Sequence, residues 1–175
     1  MNILITGTPG VGKTTVLNRV KDEIESRGYD VGGIYSPEIK ENGERIGFAI
    51  KDLNTGRNGI LSRVNGNGPR VGKYKVNLKD LEEIGISAVE KALTGADFII
   101  IDEIAPMELK SPKFSRVVEK ALDSEISVLA VIHKRSNHPF ILKVKNRDDV
   151  VVFEVKRENR GVLDREILEA LEMDS

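Results

Sequence analysis

The chain has 175 residues, and its 27 Lys and Arg nearly balance 28 Asp and Glu, giving a formal net charge of −1. That length suits a single domain spanning 1–175 with an adequate core, and the balanced charge argues against a polyanion or a membrane surface as the main partner, so nucleic acid is not expected. The lack of Cys removes disulfides, thiolate metal sites and a cysteine nucleophile together. No apolar run approaches the ~20 residues that cross a bilayer, and no basic-apolar leader precedes the first strand, so a cytoplasmic protein is expected.

The first segment, Asn2-Ile3-Leu4-Ile5-Thr6, is rich in Ile and Leu and free of Pro and Gly, the pattern of a strand buried on both faces. It runs into Gly7-Thr8-Pro9-Gly10-Val11-Gly12-Lys13-Thr14-Thr15, which has the spacing Gly-x-x-x-x-Gly-Lys-Ser/Thr of a phosphate-binding loop. Val16, Leu17, Val20 and Ile24 then recur at helical spacing, predicting a helix over about 13–27 that Gly28 stops. A strand before and a helix after are the context the motif requires.

The residue types follow from the chemistry of holding an anion. Gly7, Gly10 and Gly12 let consecutive N–H groups converge on one concavity, and the helix N-terminus adds its own unpaired N–H groups and partial positive charge. Lys13 supplies a full charge to the β- and γ-phosphates, while the Thr14 hydroxyl is placed to ligate Mg²⁺. The nucleotide-binding set is therefore Gly7, Thr8, Pro9, Gly10, Val11, Gly12, Lys13, Thr14 and Thr15.

Further along, Tyr29 to Ile39 alternates and carries a strand that Ser36-Pro37 ends. About 40–76 then reads as an antiparallel β insertion: a hairpin turn at Asn42-Gly43, strands over 45–53 and 59–64, a Gly- and Asn-rich loop at 65–69, and the β-type stretch 71–76. A helix follows with Asn77 as its N-cap, and Gly95 ends it. The apolar run Phe98-Ile99-Ile100-Ile101 is a second buried strand. Ser111-Pro112 opens a helix, 126–133 is a third apolar strand, a short helix starts near Pro139, 150–155 is the last strand and 162–171 the closing helix. Alternating apolar strands and amphipathic helices predict an α/β three-layer sandwich, a mostly parallel sheet with helices on both faces.

A phosphate loop needs a carboxylate at its metal, and Asp102 closes a buried strand on the side where parallel sheets bind ligands. Asp102 and Thr14 are the metal candidates. Glu103 is placed to polarise the water that attacks the γ-phosphorus. Arg135, closing the third apolar strand, is the candidate positive group for the transition state, with Arg63 and Arg70 as rivals and His133 as a strand-end polar group. After the last strand, Asn159 and Arg160 are placed to touch base or phosphate, although a cap is the simpler role for Asn159.

Together these residues resemble the thermophile-type nucleoside-triphosphatase family, which includes the human cancer-related nucleoside-triphosphatase. The resemblance is carried by the segment from Ile3 to Thr15, Arg45-Ile46-Gly47-Phe48, Val71-Gly72-Lys73-Tyr74, the stretch from Ile99 to Leu109, and Glu158-Asn159-Arg160. It implies a RecA-like phosphate-loop fold in which one strand separates the Asp102 strand from the first. It also implies Mg²⁺-dependent hydrolysis of several nucleoside triphosphates to diphosphates. One departure is Ala105-Pro106, where the family pattern has Gly followed by Lys or a polar residue. Broad base tolerance is expected, because no Asn-Lys-x-Asp guanine reader occurs and aromatics are scarce. A monomer, or at most a weak oligomer, is expected. Two other readings fit parts of the chain: a small phosphotransferase with Arg135, Lys143, Lys145 and Arg147 as a basic lid, and a nucleotide-driven switch.

Overall fold

In the computed structural model, which describes residues 1–173, strand β1 (Asn2–Thr6) is buried along its whole length. It pairs in parallel with β10 (Val150–Glu154) on one side and β9 (Ser127–Ile132) on the other. Next come β8 (Phe98–Ile104) and β2 (Val31–Tyr35), both parallel to their neighbours. The expected separation is found: β9 lies between the Asp102 strand and the first strand. All five strands end on one side, so the residues following β1, β8 and β9 meet there.

Alternation along β1 sends its side chains to two cores. Leu4 joins Phe114, Val118, Ile99 and Ile101 on one face. Ile3 and Ile5 join Val16, Leu17, Val20 and Ile24 of α1 (Lys13–Ser26) and Leu163 and Ile167 of α6 (Leu163–Ala170) on the other. Helix α4 (Pro112–Asp123), opened by Pro112 as expected, presents Phe114, Val117 and Val118 to the first core. A short α5 (Pro139–Lys145) leads toward β10.

Beyond β2 the sheet turns antiparallel, in the order β4 (Glu44–Asp52), β5 (Asn58–Arg63), β7 (Tyr74–Val76) and β6 (Arg70–Val71), with β3 (Glu38–Glu41) paired only to β4. The Asn42-Gly43 turn has both residues at positive φ, 52° and 80°, the geometry that matches strand twist in a two-residue hairpin. The stretch 71–76 is not one strand but a second tight hairpin folding at Gly72, whose φ of 58° ends β6. The helical run after Asn77 consists of a turn, α2 (Leu78–Asp80), a π-helical stretch (Leu81–Ile86), and α3 (Ser87–Ala92).

Asn77 does cap this run, its Oδ1 accepting the Asp80 N–H at 3.1 Å. Replacing it by Ala leaves that donor unpaired, and Asn77→Ala is expected to cost about 1 kcal/mol of unfolding free energy, read as a lower urea midpoint at unchanged slope. Among the described residues no helix is long and apolar enough to cross a membrane.

Candidate active site

The loop between β1 and α1 faces solvent, with Thr8, Pro9, Gly10, Thr14 and Thr15 exposed. Gly10 and Gly12 take positive φ values of 77° and 113°, which a side chain would strain, and Gly12 is the N-cap of α1. No side chain caps this helix and no acid stands in its first turn, so its leading N–H groups remain open to an anion. Lys13 folds back over the loop, its Nζ donating to the Gly7 carbonyl at 3.0 Å.

The two motifs converge at one contact. The Thr14 hydroxyl donates to Asp102 Oδ2 at 2.9 Å, across 88 residues of sequence. Burial raises the pKa of Asp102, with the Thr14 hydrogen bond and the Lys13 charge opposing that rise. Two hard oxygen donors at one point, beside an anion cradle, suit a divalent cation that keeps several waters and takes phosphate oxygens as further ligands. Among the described residues no group of three or more His, Cys, Asp or Glu is placed to hold a metal by itself.

Glu103 follows directly, and β8 makes room for it with an irregularity: Asp102 pairs with Val131 and Ile104 with Ile132, leaving Glu103 as the extra residue. A bulge of this kind re-aims a side chain beside a site. Its Oε2 is covered from solvent and has no hydrogen-bond partner among the described residues. Burial pushes the Glu103 carboxyl up to about 7, with the Lys13 charge pulling it down and Asp102 pushing it further up. A carboxyl near neutrality is suited to general-base work.

His133, a strand-end polar group by sequence, lies just past β9. Its Nδ1 accepts the N–H groups of Arg135 at 3.3 Å and Ser136 at 3.1 Å. Two donors at Nδ1 place the ring proton on Nε2 and disfavour the imidazolium. Burial lowers its pKa further, as do the charges of Lys13 and Lys145. His133 is thus a neutral, orientation-locked donor within reach of the Lys13 charge. Lys145 holds the same turn, its Nζ donating to the carbonyls of His133 at 2.8 Å and Lys134 at 3.0 Å.

The arginines separate. Arg135 is exposed at the same end of the sheet and makes no side-chain hydrogen bond or ion pair among the described residues. Arg63 instead lines a cavity of about 590 Å³ in the β insertion with Asn67, Lys75 and Leu78, and Arg70 is exposed. Arg160 lies on the phosphate loop, with its Cδ 3.7 Å from where a Cβ at Gly12 would stand and its Nη1 donating to the Val11 carbonyl at 3.3 Å. Asn159 is turned away from such duty: its Oδ1 accepts the Lys156 N–H at 2.8 Å and its Nδ2 donates to the Glu154 carbonyl at 2.9 Å. It closes its own loop and does not act as the expected helix cap: α6 starts at Leu163 with Val162 at its N-cap position and no side-chain cap.

A family model described as NTPase matches residues 2–168. The chain belongs to the NTPase family. Among curated members, the nucleoside-triphosphatase THEP1 of Thermotoga sp. (strain RQ2) is 52% identical over 175 residues, covering 99% of this chain and 97% of that protein. The same-named protein of Methanopyrus kandleri is 46% identical over 169 residues, covering 96% and 93%. Of solved structures, the crystal structure of THEP1 from Aquifex aeolicus superposes with a TM-score of 0.86 at 36% identity, covering 98% of this chain and 99% of that one. The solution structure of a human cancer-related nucleoside triphosphatase gives 0.82 at 34%, covering 99% and 98%. The family fold is therefore shared along the chain. The departure at Ala105 is accommodated, because the described non-Gly residues at positive φ are Asn42 and Glu172, so the Ala105 backbone makes no demand for glycine.

Proposed function

We propose that this chain hydrolyses nucleoside 5′-triphosphates to the diphosphate and phosphate, with Mg²⁺ and with broad tolerance of the base, accepting ATP, GTP, CTP and UTP. The observation that carries the reading is the 2.9 Å contact between Thr14 and Asp102, which sets a hard-oxygen pair beside an uncapped helix N-terminus. Hard, few and backed by an anion cradle, these donors fit Mg²⁺ better than a softer ion. When bound, the cation neutralises charge on the β- and γ-phosphate oxygens.

The residues divide the remaining work. Backbone N–H groups from Gly10 to Thr15 hold the phosphate tail, and Lys13 releases the Gly7 carbonyl to reach the β- and γ-phosphates. Glu103 accepts a proton from the attacking water, whose oxygen forms a bond to the γ-phosphorus as the bond to the β–γ bridging oxygen breaks. The Nε2–H of His133 donates to a γ-phosphate oxygen, and Arg135, exposed and without a side-chain partner among the described residues, offsets developing charge. Arg160 steadies the loop and meets the inner phosphates.

The phosphotransferase reading loses support where its lid would form. Arg147 is bound to Asp123 at 2.7 Å and Asp149 at 2.8 Å, Lys143 to Glu119 at 2.7 Å, and Lys145 to two carbonyls. The test is phosphate release from the four common triphosphates with Mg²⁺, with EDTA, and with nucleoside monophosphates or small alcohols added. Release that needs Mg²⁺ and varies little with the base supports the proposal. Release that depends on an added acceptor and yields a phosphorylated product overturns it.

A further inference from the structure

The antiparallel insertion carries a row of cations that nothing else in the chain answers. Arg70 of β6 pairs with Lys75 of β7, and Lys75 pairs with Arg63 of β5, so the three stand directly across from one another on adjacent strands. Residues opposite each other in a ladder share a face, with Cβ atoms about 5 Å apart, and like charges so placed repel. None of the three side chains has a hydrogen bond or ion pair among the described residues. Other cations of the same insertion are matched: Arg45 Nη1 reaches one oxygen of Glu38 at 3.0 Å, and Lys40 Nζ reaches the other at 3.7 Å.

Arg63 and Lys75 are half-buried and line the cavity of about 590 Å³ in the insertion, a volume within the usual range of small-ligand sites. The loop 65–69 closes it by folding back along β7: the Val76 N–H donates to the Pro69 carbonyl at 2.8 Å, and the Gly66 N–H to the Arg63 carbonyl at 3.4 Å. At Gly68 the loop runs so near β7 that a Cβ would collide with the Val76 carbonyl. The N–H groups of Asn67 and Gly68 have no backbone partner among the described residues. Ile60, Pro69 and Leu78 give the cavity apolar surface, and no acid lines it. Adjacent cations partly withdrawn from water call for an anion whose charge is spread over several oxygens, and phosphate groups supply that. A nucleic-acid surface would present aromatic platforms for its bases, and no aromatic side chain lines this cavity.

We propose that this cavity is a second phosphate site for a small molecule bearing a diphosphate group, either inorganic pyrophosphate or a nucleoside diphosphate. Arg63 and Lys75 bind the phosphate oxygens, the free N–H groups of Asn67 and Gly68 are available from the loop, and exposed Arg70 draws the anion in. The apolar lining gives a nucleoside a surface to rest on. In the sheet order β5 stands third from β8, so the occupant is distinct from the phosphate tail at Gly12 to Thr14. The inference stands apart from the hydrolase reading and does not need it.

Residue-resolved NMR of the full chain, titrated in separate runs with inorganic pyrophosphate and with ADP, tests this directly. Expected are saturable shifts at the amides of Gly66, Asn67 and Gly68, half-complete at ~1 mM or below. The amides of Gly10 and Gly12 report the phosphate loop separately in the same spectra. Lys75→Gln removes the central charge and should weaken binding at 66–68 by about tenfold or more, the scale of a hydrogen bond to a charged group. It should leave the Gly10 and Gly12 shifts and kcat as in the parent, with a melting temperature at or above the parental one because a like-charge contact is relieved. Arg63→Gln should lose binding at 66–68 to a similar degree, which decides the matter if Lys75→Gln does not fold. Equal affinity for the two probes supports the proposal with the diphosphate as the whole recognised group, and tighter binding of ADP supports it with the nucleoside engaged. The proposal is overturned if the 66–68 amides do not move, if their shifts persist unweakened in the folded variants, or if a single-stranded oligonucleotide moves them at lower concentration than either small molecule.

Discussion

Replacing Glu103 by Gln is expected to lower kcat by at least ~10²-fold, the usual scale for a positioned general base, while nucleotide affinity stays within about twofold of the parent. Gln keeps the shape and a hydrogen-bonding oxygen in the bulge of β8 but cannot take a proton from water. Rapid-mixing measurements of phosphate release, with binding titrations of a non-hydrolysable triphosphate, separate the two effects. Unchanged turnover would remove Glu103 from the mechanism. The pH dependence points the same way. With its carboxyl lifted to about 7 by burial, Glu103 is ionised and competent above that pH and protonated below it. In the free enzyme kcat/KM should fall about tenfold per unit of pH below ~7 and level off above it, and that limb should be missing in Glu103→Gln.

Stability should run opposite to activity. An unfolded Glu titrates near its ordinary 4.5, while the folded one holds its proton up to about 7. Between those values the folded state binds the extra proton, so the stability of the nucleotide-free protein declines as pH rises through that window and is flat on either side. The full difference is discounted because the Glu103 side chain is only half-buried, leaving a loss on the order of 2 kcal/mol. At pH 8 Glu103→Gln escapes that loss and should melt a few degrees above the parent, by about 4–8 °C at this chain length. A variant both slower and more stable is the signature of a base held in an environment that disfavours its charge.

The two halves of the site were legible because each is local in sequence. The phosphate loop is nine consecutive residues whose glycines and lysine have no other common use together, and Asp102 announces itself by closing four apolar residues. Apolar runs likewise marked β1, β8 and β9, since burial on both faces leaves no alternation to misread. What escaped depends on contacts between distant segments or on one backbone angle. Residues 71–76 look strand-like throughout, and only the left-handed Gly72 turns them into a hairpin. Asn159 has the residue type of a ligand contact, and its engagement is decided by the carbonyl of Glu154. Arg147 and Lys145 read as free cations until partners 24 and 12 residues away claim them. Glu108 is the sharpest case: its neighbours Met107 and Leu109 hint at burial, yet nothing in the local pattern says that the turn buries the acid itself.

Lys13→Ala is expected to act on binding and chemistry together, which sets it apart from Glu103→Gln. Lys13 is only half-buried and holds a backbone carbonyl of its own loop at 3.0 Å, an interaction worth little once a phosphate competes for the ammonium. Losing a charge-assisted contact to phosphate should weaken triphosphate affinity by about 10- to 100-fold. Loss of the same charge where it develops in the transition state adds a further ~10² in kcat, so kcat/KM should drop by about 10³ or more. The fold should not suffer, since the loop has its own N–H···O closure, Val11 to Thr8 at 3.2 Å. An unaltered melting temperature with that combined kinetic loss is the expected result. A variant that loses kcat but binds triphosphate as tightly as the parent would show that the ammonium stays on Gly7, with the N–H groups of the loop alone carrying the tail. Arg160, already lying against Gly12, would then be the cation to remove next.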